Sequence, residues 1–226
     1  MSWRRMENRP EYGSNAELVA GIAETAATFI DGSPRSPRVL EALEANDRAR
    51  FLPPWAHARA YIDAPVGIGE GQTCSQPSLV AFMLDALDIE PGHRVLEIGS
   101  GCGYAAAAAA RLCAPSGTVT AVEILKALAF LCRANCAPFG ERVEVVEGDG
   151  SDGLPGQEPF DRILVSAGVR LRGFREELLV ARLSEGGVLV YPEAYGKLHR
   201  AERRGRTLIR TAWGFVAFVP LVGRNS

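Results

Sequence analysis

Arg94-Val95-Leu96-Glu97-Ile98-Gly99-Ser100-Gly101-Cys102-Gly103 is the stretch whose reading decides the fold. Val95, Leu96 and Ile98 make a short apolar, partly β-branched run just after the turn signal Pro91-Gly92, the pattern of a buried parallel strand. Three alternate glycines follow, and then Tyr104 to Leu112, which contains six consecutive alanines. Alanine has the best intrinsic helix propensity, so the order is strand, glycine turn, helix. Glycine lets the backbone turn tightly and lets a ligand approach with no Cβ in the way. The helix N-terminus adds free amides.

Two cofactor classes use such a turn. A dinucleotide site wants Gly-x-Gly-x-x-Gly, which would require glycine at 104. Position 104 is Tyr, and the third glycine comes one residue early. The spacing is instead similar to that of S-adenosylmethionine-dependent methyltransferases: an acid, any residue, then Gly-x-Gly-x-Gly, here Glu97 to Gly103. Any tight strand-to-helix turn can look like this, so the motif needs its context.

Downstream, the context is a regular alternation. Gly117 to Glu123 reads as a second strand ending in an acid, and Leu125 to Ala134 as the next helix. Arg142 to Glu147 is a third strand before Gly148-Asp149-Gly150. Asp161 to Ala167 is a fourth, Phe174 to Leu183 a helix, and Gly187 to Tyr191 a fifth strand. Strands alternating with helices at this spacing specify a doubly wound, mostly parallel α/β sheet. Ligands of such sheets lie beyond the carboxyl ends of the strands. Glu97, Gly99, Glu123 and Asp149 all fall there. One such acid alone is usually a solvated loop carboxylate; three at successive strand ends point to a nucleoside-type site.

Upstream, Ser14 and Glu17 form a capping box ahead of Leu18, Val19, Ile22, Ala26 and Phe29. A helix is expected over about 16–30, stopping at Asp31-Gly32-Ser33-Pro34. A second starts at Ser36-Pro37 and carries Val39, Leu40 and Leu43. Phe51-Leu52-Pro53-Pro54-Trp55 is proline-broken and expected not to be helical. Residues 61–80, with Gly67, Gly69 and Gly71, read as a loop. Ser75 or Gln76 then opens a helix with Pro77 in its first turn and Leu79, Phe82, Met83 and Leu87 on its buried face. On these residues alone, the Ser75 hydroxyl is best taken as the helix cap.

The tail carries Lys197, Arg200, Arg203, Arg204, Arg206 and Arg210 against one acid, Glu202. A solvated edge hairpin is favoured over a nucleic-acid patch, because no aromatic is interleaved before Trp213 and the net charge is −2. Gly214 to Leu221 closes as a strand. His57, His93 and His199 sit near no acid in a catalytic pattern, so a histidine general base is unsupported. The five cysteines, 74, 102, 113, 132 and 136, form no Cys-x-x-Cys, so neither disulfides nor a metal site is indicated. Cys132 and Cys136 are expected as small buried residues on one helix face. With 226 residues and 47% hydrophobic content the chain suits one domain, with residues 1–60 as a helical segment packed on it. Met1-Ser2-Trp3-Arg4-Arg5 leads into no apolar core, so neither a signal peptide nor a membrane span is expected, and the location expected is the cytoplasm.

The residues together resemble one family, the protein-L-isoaspartate O-methyltransferases. The specific block is Gly67-Ile68-Gly69-Glu70-Gly71-Gln72-Thr73-Cys74-Ser75-Gln76-Pro77, followed by Val95 to Tyr104. Further matches are Gly148-Asp149-Gly150, Phe160-Asp161, Val165-Ser166-Ala167, Gly186-Gly187 and Phe218 to Gly223. The resemblance spans roughly residues 38 to 223. It implies a Rossmann-like class I methyltransferase fold with an antiparallel C-terminal edge, S-adenosyl-L-methionine as cofactor, and no metal. It implies cofactor contacts from Gln72, Thr73, Cys74, Ser75, Glu97, Ile98, Gly99, Ser100, Gly101, Glu123, Ile124, Asp149 and Gly150. Ser75 would be the active-site serine. Substrate contacts would come from Ile68, Gly69, Ser75, Val165, Ser166 and Ala167. Two places depart from the family pattern. Position 74, often aliphatic, is Cys, and the segment bordering the substrate reads Gly168-Val169-Arg170-Leu171-Arg172-Gly173-Phe174.

The implied acceptor is the free carboxylate of an isoaspartyl residue in a damaged protein or peptide. With a pKa of ~3.5 that group is ionised at neutral pH, so no general base is needed. Ser75 would orient it and attack nothing. A monomer without nucleic-acid or membrane partners is expected. Two other readings stay open: a related enzyme that methylates an aspartate of one particular peptide product, and a non-catalytic binding protein that retains the fold.

Overall fold

Ser14 caps the first helix as expected, while Glu17 reaches one residue past it, to the amide of Gly13 and not that of Ser14. The Glu17 amide donates to the Ser14 hydroxyl at 3.2 Å, and the Gly13 amide donates to the Glu17 carboxylate at 2.9 Å. Helix α1 (Asn15–Phe29) follows. The computed structural model describes residues 11–29, 36–154, 156, 157 and 159–225. The expected helix end at Ile30, its stop at Asp31 to Pro34 and the Met1 to Arg9 stretch lie outside them. Helix α2 (Pro37–Glu44) has proline at its first position and buries Val39, Ala42 and Leu43. The Asn15 side-chain amide donates to the carbonyls of Leu43 and Glu44 at 3.1 and 3.0 Å, closing the end of α2 and tying it to α1.

The proline-broken segment corrects one expectation. It carries two 3-10 turns, Arg48–Phe51 and Pro54–Arg59. Pro53 and Pro54 fall at the cap and first position of the second turn, where no amide proton is needed. The stretch read as a loop holds an antiparallel hairpin, β1 (Val66–Gly69) and β2 (Gln72–Cys74). Its turn is left-handed at Gly69, Glu70 and Gly71, with φ of 100°, 53° and 70°. Glycine at two of those three positions makes the turn accessible. Helix α3 (Pro77–Leu87) begins at the expected place.

The remaining elements in chain order are β3 (Arg94–Ile98), α4 (Tyr104–Leu112), β4 (Thr118–Glu123), α5 (Lys126–Cys136), β5 (Val143–Glu147), β6 (Phe160–Val165), α6 (Glu176–Val180), β7 (Leu183–Pro192), β8 (Tyr195–Arg204) and β9 (Thr207–Ala217). They form a seven-stranded sheet of order β5-β4-β3-β6-β7-β8-β9. The first five strands in that order run parallel, and β8 and β9 form the antiparallel edge. Strand order reverses at β3, so the crevice for a ligand opens between the carboxyl ends of β3 and β6.

Side chains alternate between the two faces. Val95, Val119, Ala121, Leu164, Val188 and Val190 meet the core built with α1 to α5. Leu96, Ile98, Val122, Ile163, Val165 and Leu189 meet Leu179 of α6 on the other side. The expected ten-residue helix over 174–183 shrinks to the five residues of α6. Leu183 already pairs with Phe160, and β7 carries extra residues before Val188 pairs with Arg162. Gly186, at φ 74°, takes up that bulge. At the edge, Arg200 and Arg204 pair with Glu202, and Arg210 with Glu176. The basic tail is thus largely used within the fold. Among the described residues no helix is long and apolar enough to cross a membrane.

Candidate active site

The glycine turn is pinned from both sides. The amides of Gly99 and Ser100 both donate to the Val122 carbonyl, at 2.9 and 3.1 Å, which holds the turn against the end of β4. Glu123, buried at the tip of β4, accepts the Gly101 amide at 2.8 Å and the Leu125 amide at 2.9 Å, one on each oxygen. Gly99, Gly101 and Gly103 all have positive φ, and Gly103 starts α4 at φ 84°. A Cβ on Gly103 would lie 2.8 Å from the Cys136 sulfur and 3.0 Å from that of Cys132. The paired cysteines of α5 therefore pack under the turn as small buried residues. No cluster of three or more metal-ligating side chains occurs among the described residues.

Two adjoining hollows open above this turn and share Thr73, Gly99, Gly101 and Ser166. The outer one also takes Gln72, Ile98, Glu123, Ile124, Gly150 and Ala167, with Leu125, Leu128 and Val219 to Val222 completing the wall. The inner one takes Cys74, Ser75, Glu97, Ser100 and Cys102, backed by Val80, Met83, Tyr104 and Phe218. The structure thus gathers most of the sequence-derived site residues around one crevice. Ile68 packs from β1 onto the turn, its Cδ1 standing 3.2 Å from where a Gly101 Cβ would be. Three residues stand apart. Gly69 is in the hairpin turn, and Val165 is fully buried in the core. Asp149 turns away to accept the amides of Ser151 and Arg224 at 3.0 and 2.9 Å. Burial raises the Asp149 carboxyl, but those bonds hold it below its ordinary value.

Charge in the inner hollow is unusual. Burial lifts the Glu97 carboxyl to about 8; the Ser166 hydroxyl, donating to it at 2.6 Å, works against that shift, and Cys132, Glu123 and Cys74 add to it. Its other oxygen is buried with no partner, and so is the Ser100 hydroxyl. The Cys102 thiol donates to the Cys74 sulfur and, despite burial, with Arg48 nearby, brings Cys74 down to about 6 while Cys102 is pushed up.

Arg48 is a site residue that sequence reasoning missed. It is fully buried, and its guanidinium donates to the carbonyls of Ala60, Ile62, Ala64, Cys74 and Ser75 at 2.9 to 3.3 Å. It therefore fixes the backbone carrying Ser75. The capping reading of Ser75 is corrected. The cap residue of α3 is Gln76, which makes no side-chain cap bond, and Asp63 accepts the Ser78 amide at 2.9 Å instead. Leu128 and Val219 to Val222 were also not placed in the site; the second group sits more than fifty residues beyond Ala167. His199 does meet an acid, Glu193 at 2.6 Å, stacked on Tyr191. Neither member of that pair lines the crevice.

The protein-L-isoaspartate(D-aspartate) O-methyltransferase family model matches residues 28–226. A protein-L-isoaspartate O-methyltransferase of Methanopyrus kandleri is 42% identical over 199 residues, covering 84% of this chain and 86% of its own. One from Methylorubrum extorquens is 44% identical, covering 83% of this chain and 82% of its own. Among solved structures, a protein-L-isoaspartate O-methyltransferase aligns with a TM-score of 0.79 at 26% identity, over 93% of this chain and 67% of the other. The structure of a Plasmodium falciparum protein described by that name, in complex with S-adenosyl-L-homocysteine, aligns with a TM-score of 0.77, over 95% of this chain and 100% of its own. At 23% identity, that last likeness speaks to the fold alone.

Proposed function

The chain belongs to the protein-L-isoaspartate(D-aspartate) O-methyltransferase family, and we propose that its double crevice is where methyl donor and isoaspartyl carboxylate meet. It is a methyltransferase of protein repair that uses S-adenosyl-L-methionine. The observation that carries the assignment is a set of orphaned buried atoms, Glu97 Oε2, Ser100 Oγ and Tyr104 Oη, on three residues that line the same hollow as Ser75. Buried polar atoms without partners are costly, and a polar ligand seated there would satisfy them.

The residues fit the donor. Each Glu123 oxygen accepts one backbone amide and keeps a lone pair for the hydroxyls of a ribose. Ile124 and Leu128 give the outer hollow an apolar wall. Gln72, Thr73, Cys74, Ile98, Gly99, Gly101 and Gly150 complete the proposed cofactor contacts, while Asp149, turned to the amides of Ser151 and Arg224, shapes the loop beside them and makes no contact of its own. When bound, the cofactor supplies a methyl group on a cationic sulfur, already activated for transfer.

The chain's own residues then position and exclude water. The acceptor carboxylate arrives ionised, so no side chain need take a proton from it. Ser75 holds it through the hydroxyl, with Ser166 and Ala167 on the facing wall and Ile68 and Gly69 in the hairpin above. Arg48 keeps Ser75 in place through the carbonyls of Cys74 and Ser75, the positioning on which such a transfer depends. The methyl ester formed cyclises to a succinimide as the following backbone amide nitrogen attacks the ester carbonyl, loses its proton and expels methanol, the start of repair. The same reading takes residues 1–226 as one cytoplasmic, monomeric domain with residues 1–60 as a helical segment packed on it, and no nucleic-acid or membrane partner. Packing of α1 on α3 and of α2 on α4 supports the first part.

Labelled methyl should pass from S-adenosyl-L-methionine to an isoaspartyl peptide and not to its normal aspartyl twin. Equal labelling of the two, or of neither, would overturn the proposal.

A further inference from the structure

Just past the crevice wall, the chain leaves β6 and presents Arg170, Leu171 and Arg172 to solvent, the leucine 57% exposed. This segment is not a loose loop. Gly168 donates to the Val219 carbonyl at 2.8 Å, and its own carbonyl accepts the Leu221 amide at 2.7 Å. Val169 donates to Pro192 and accepts from the Ala194 amide, at 2.8 and 2.9 Å. The fit is so close that a Cβ on Gly168 would lie 2.4 Å from the Ala194 Cα. Beyond the tip, the amides of Gly173 and Phe174 both donate to the Arg170 carbonyl, and the Phe174 ring lies 4.8 Å from that of Tyr191. The turn is thus held at both ends, and its first anchor is to Val219 to Leu221, which also wall the crevice.

Acids around the turn are already engaged. Glu176 takes Arg210 and the Tyr191 hydroxyl, Glu177 takes Arg175, and Glu193 takes His199. Arg170 and Arg172 make no side-chain hydrogen bond or ion pair among the described residues. Two unneutralised guanidiniums on a pre-set turn give the crevice rim a local positive field, although the whole chain carries a net charge of −2.

We propose that Arg170 and Arg172 select substrates in which acidic side chains flank the isoaspartyl residue. This rests on the isoaspartyl reading above and narrows it to a peptide class. The side chains touch the flanks and leave the transferred methyl alone, so they act on KM. Arginine suits this role, because its planar fork binds a carboxylate through two parallel bonds.

The test uses three isoaspartyl peptides that differ only in the two flanking residues: glutamate, alanine or lysine. KM for the glutamate peptide should be about tenfold below that for the lysine peptide at low ionic strength. The gap should close in ~0.5 M salt, where screening acts over only a few ångströms. In the double variant Arg170→Gln/Arg172→Gln the three KM values should converge, with kcat for the alanine peptide and cofactor affinity unchanged. Equal KM values in the natural protein would overturn the proposal, and so would a preference that survives in the variant. A failure to methylate even the alanine peptide would instead reject the isoaspartyl reading, and this inference with it.

Discussion

Ser75 and Glu97 face the same inner hollow with opposite problems. Ser75 has a hydroxyl with no capping duty, since the start of α3 is capped from Asp63. Ser75→Ala should therefore leave the urea midpoint within what ~0.5 kcal/mol would move, the usual scale for a site without structural contacts. Methyl transfer to an isoaspartyl peptide should fall by about tenfold or more, because a hydrogen bond to a charged group is worth ~1.5–3 kcal/mol. Unchanged transfer would leave Ser75 a bystander. Glu97 is buried with one oxygen unpaired and a carboxyl lifted to about 8 from 4.5. The unfolded chain releases that proton near 4.5 and the folded protein keeps it to about 8. Between these values the unfolded state binds fewer protons, so stability falls as pH rises. Glu97→Gln removes the effect. In cofactor-free protein the variant should gain on the natural chain by up to ~1.4 kcal/mol per pH unit across that window. Parallel stability curves from pH 5 to 8 would show that Glu97 is not held protonated.

Between elements, single side chains do the joining. Arg48 ties the turn before β1 to the strand-to-helix junction at Cys74 and Ser75 through five carbonyls. Lysine keeps the charge but has three donors on a point-like head. Arg48→Lys should cost at least ~3 kcal/mol in chemical denaturation, as expected when a buried charge loses its partners. A loss below ~1 kcal/mol would mean the carbonyls find water instead. Glu123 joins β4 to the glycine turn and to the start of α5. Glu123→Gln replaces one acceptor oxygen with a donor. Calorimetric titration with S-adenosylhomocysteine should show binding weakened by ~1–3 kcal/mol. Equal affinity would remove Glu123 from the cofactor site.

Across the whole molecule, what was legible in the sequence is what local pattern encodes. Val95 to Ile98 with the alternate glycines and the alanine run placed β3, its turn and α4, and three strand-end acids marked the crevice side of the sheet. Ser75 was found through the block Gly67 to Pro77, not through any property of serine. Arg48 was invisible, because an arginine between Asp47 and Arg50 reads as a solvated charge until five distant carbonyls converge on it. Asp63 as the cap of α3 escaped for a similar reason: it acts fifteen residues away from Ser78. The 218–222 wall reaches the crevice only after β8 and β9 fold back along β7, a path no periodicity reveals. Short α6 was overdrawn because its apolar spacing runs on into β7, where pairing with β6 wins.

The central claim is that this crevice converts an isoaspartyl carboxylate into its methyl ester and thereby starts repair. The most direct measurement follows one purified isoaspartyl peptide with the protein and S-adenosyl-L-methionine, by chromatography against synthetic standards. The isoaspartyl peptide should decline, the methyl ester and succinimide should appear in turn, and the normal aspartyl peptide should accumulate, with none of this in the absence of donor. An isoaspartyl peptide that stays intact while the folded protein still binds S-adenosylhomocysteine would contradict the account.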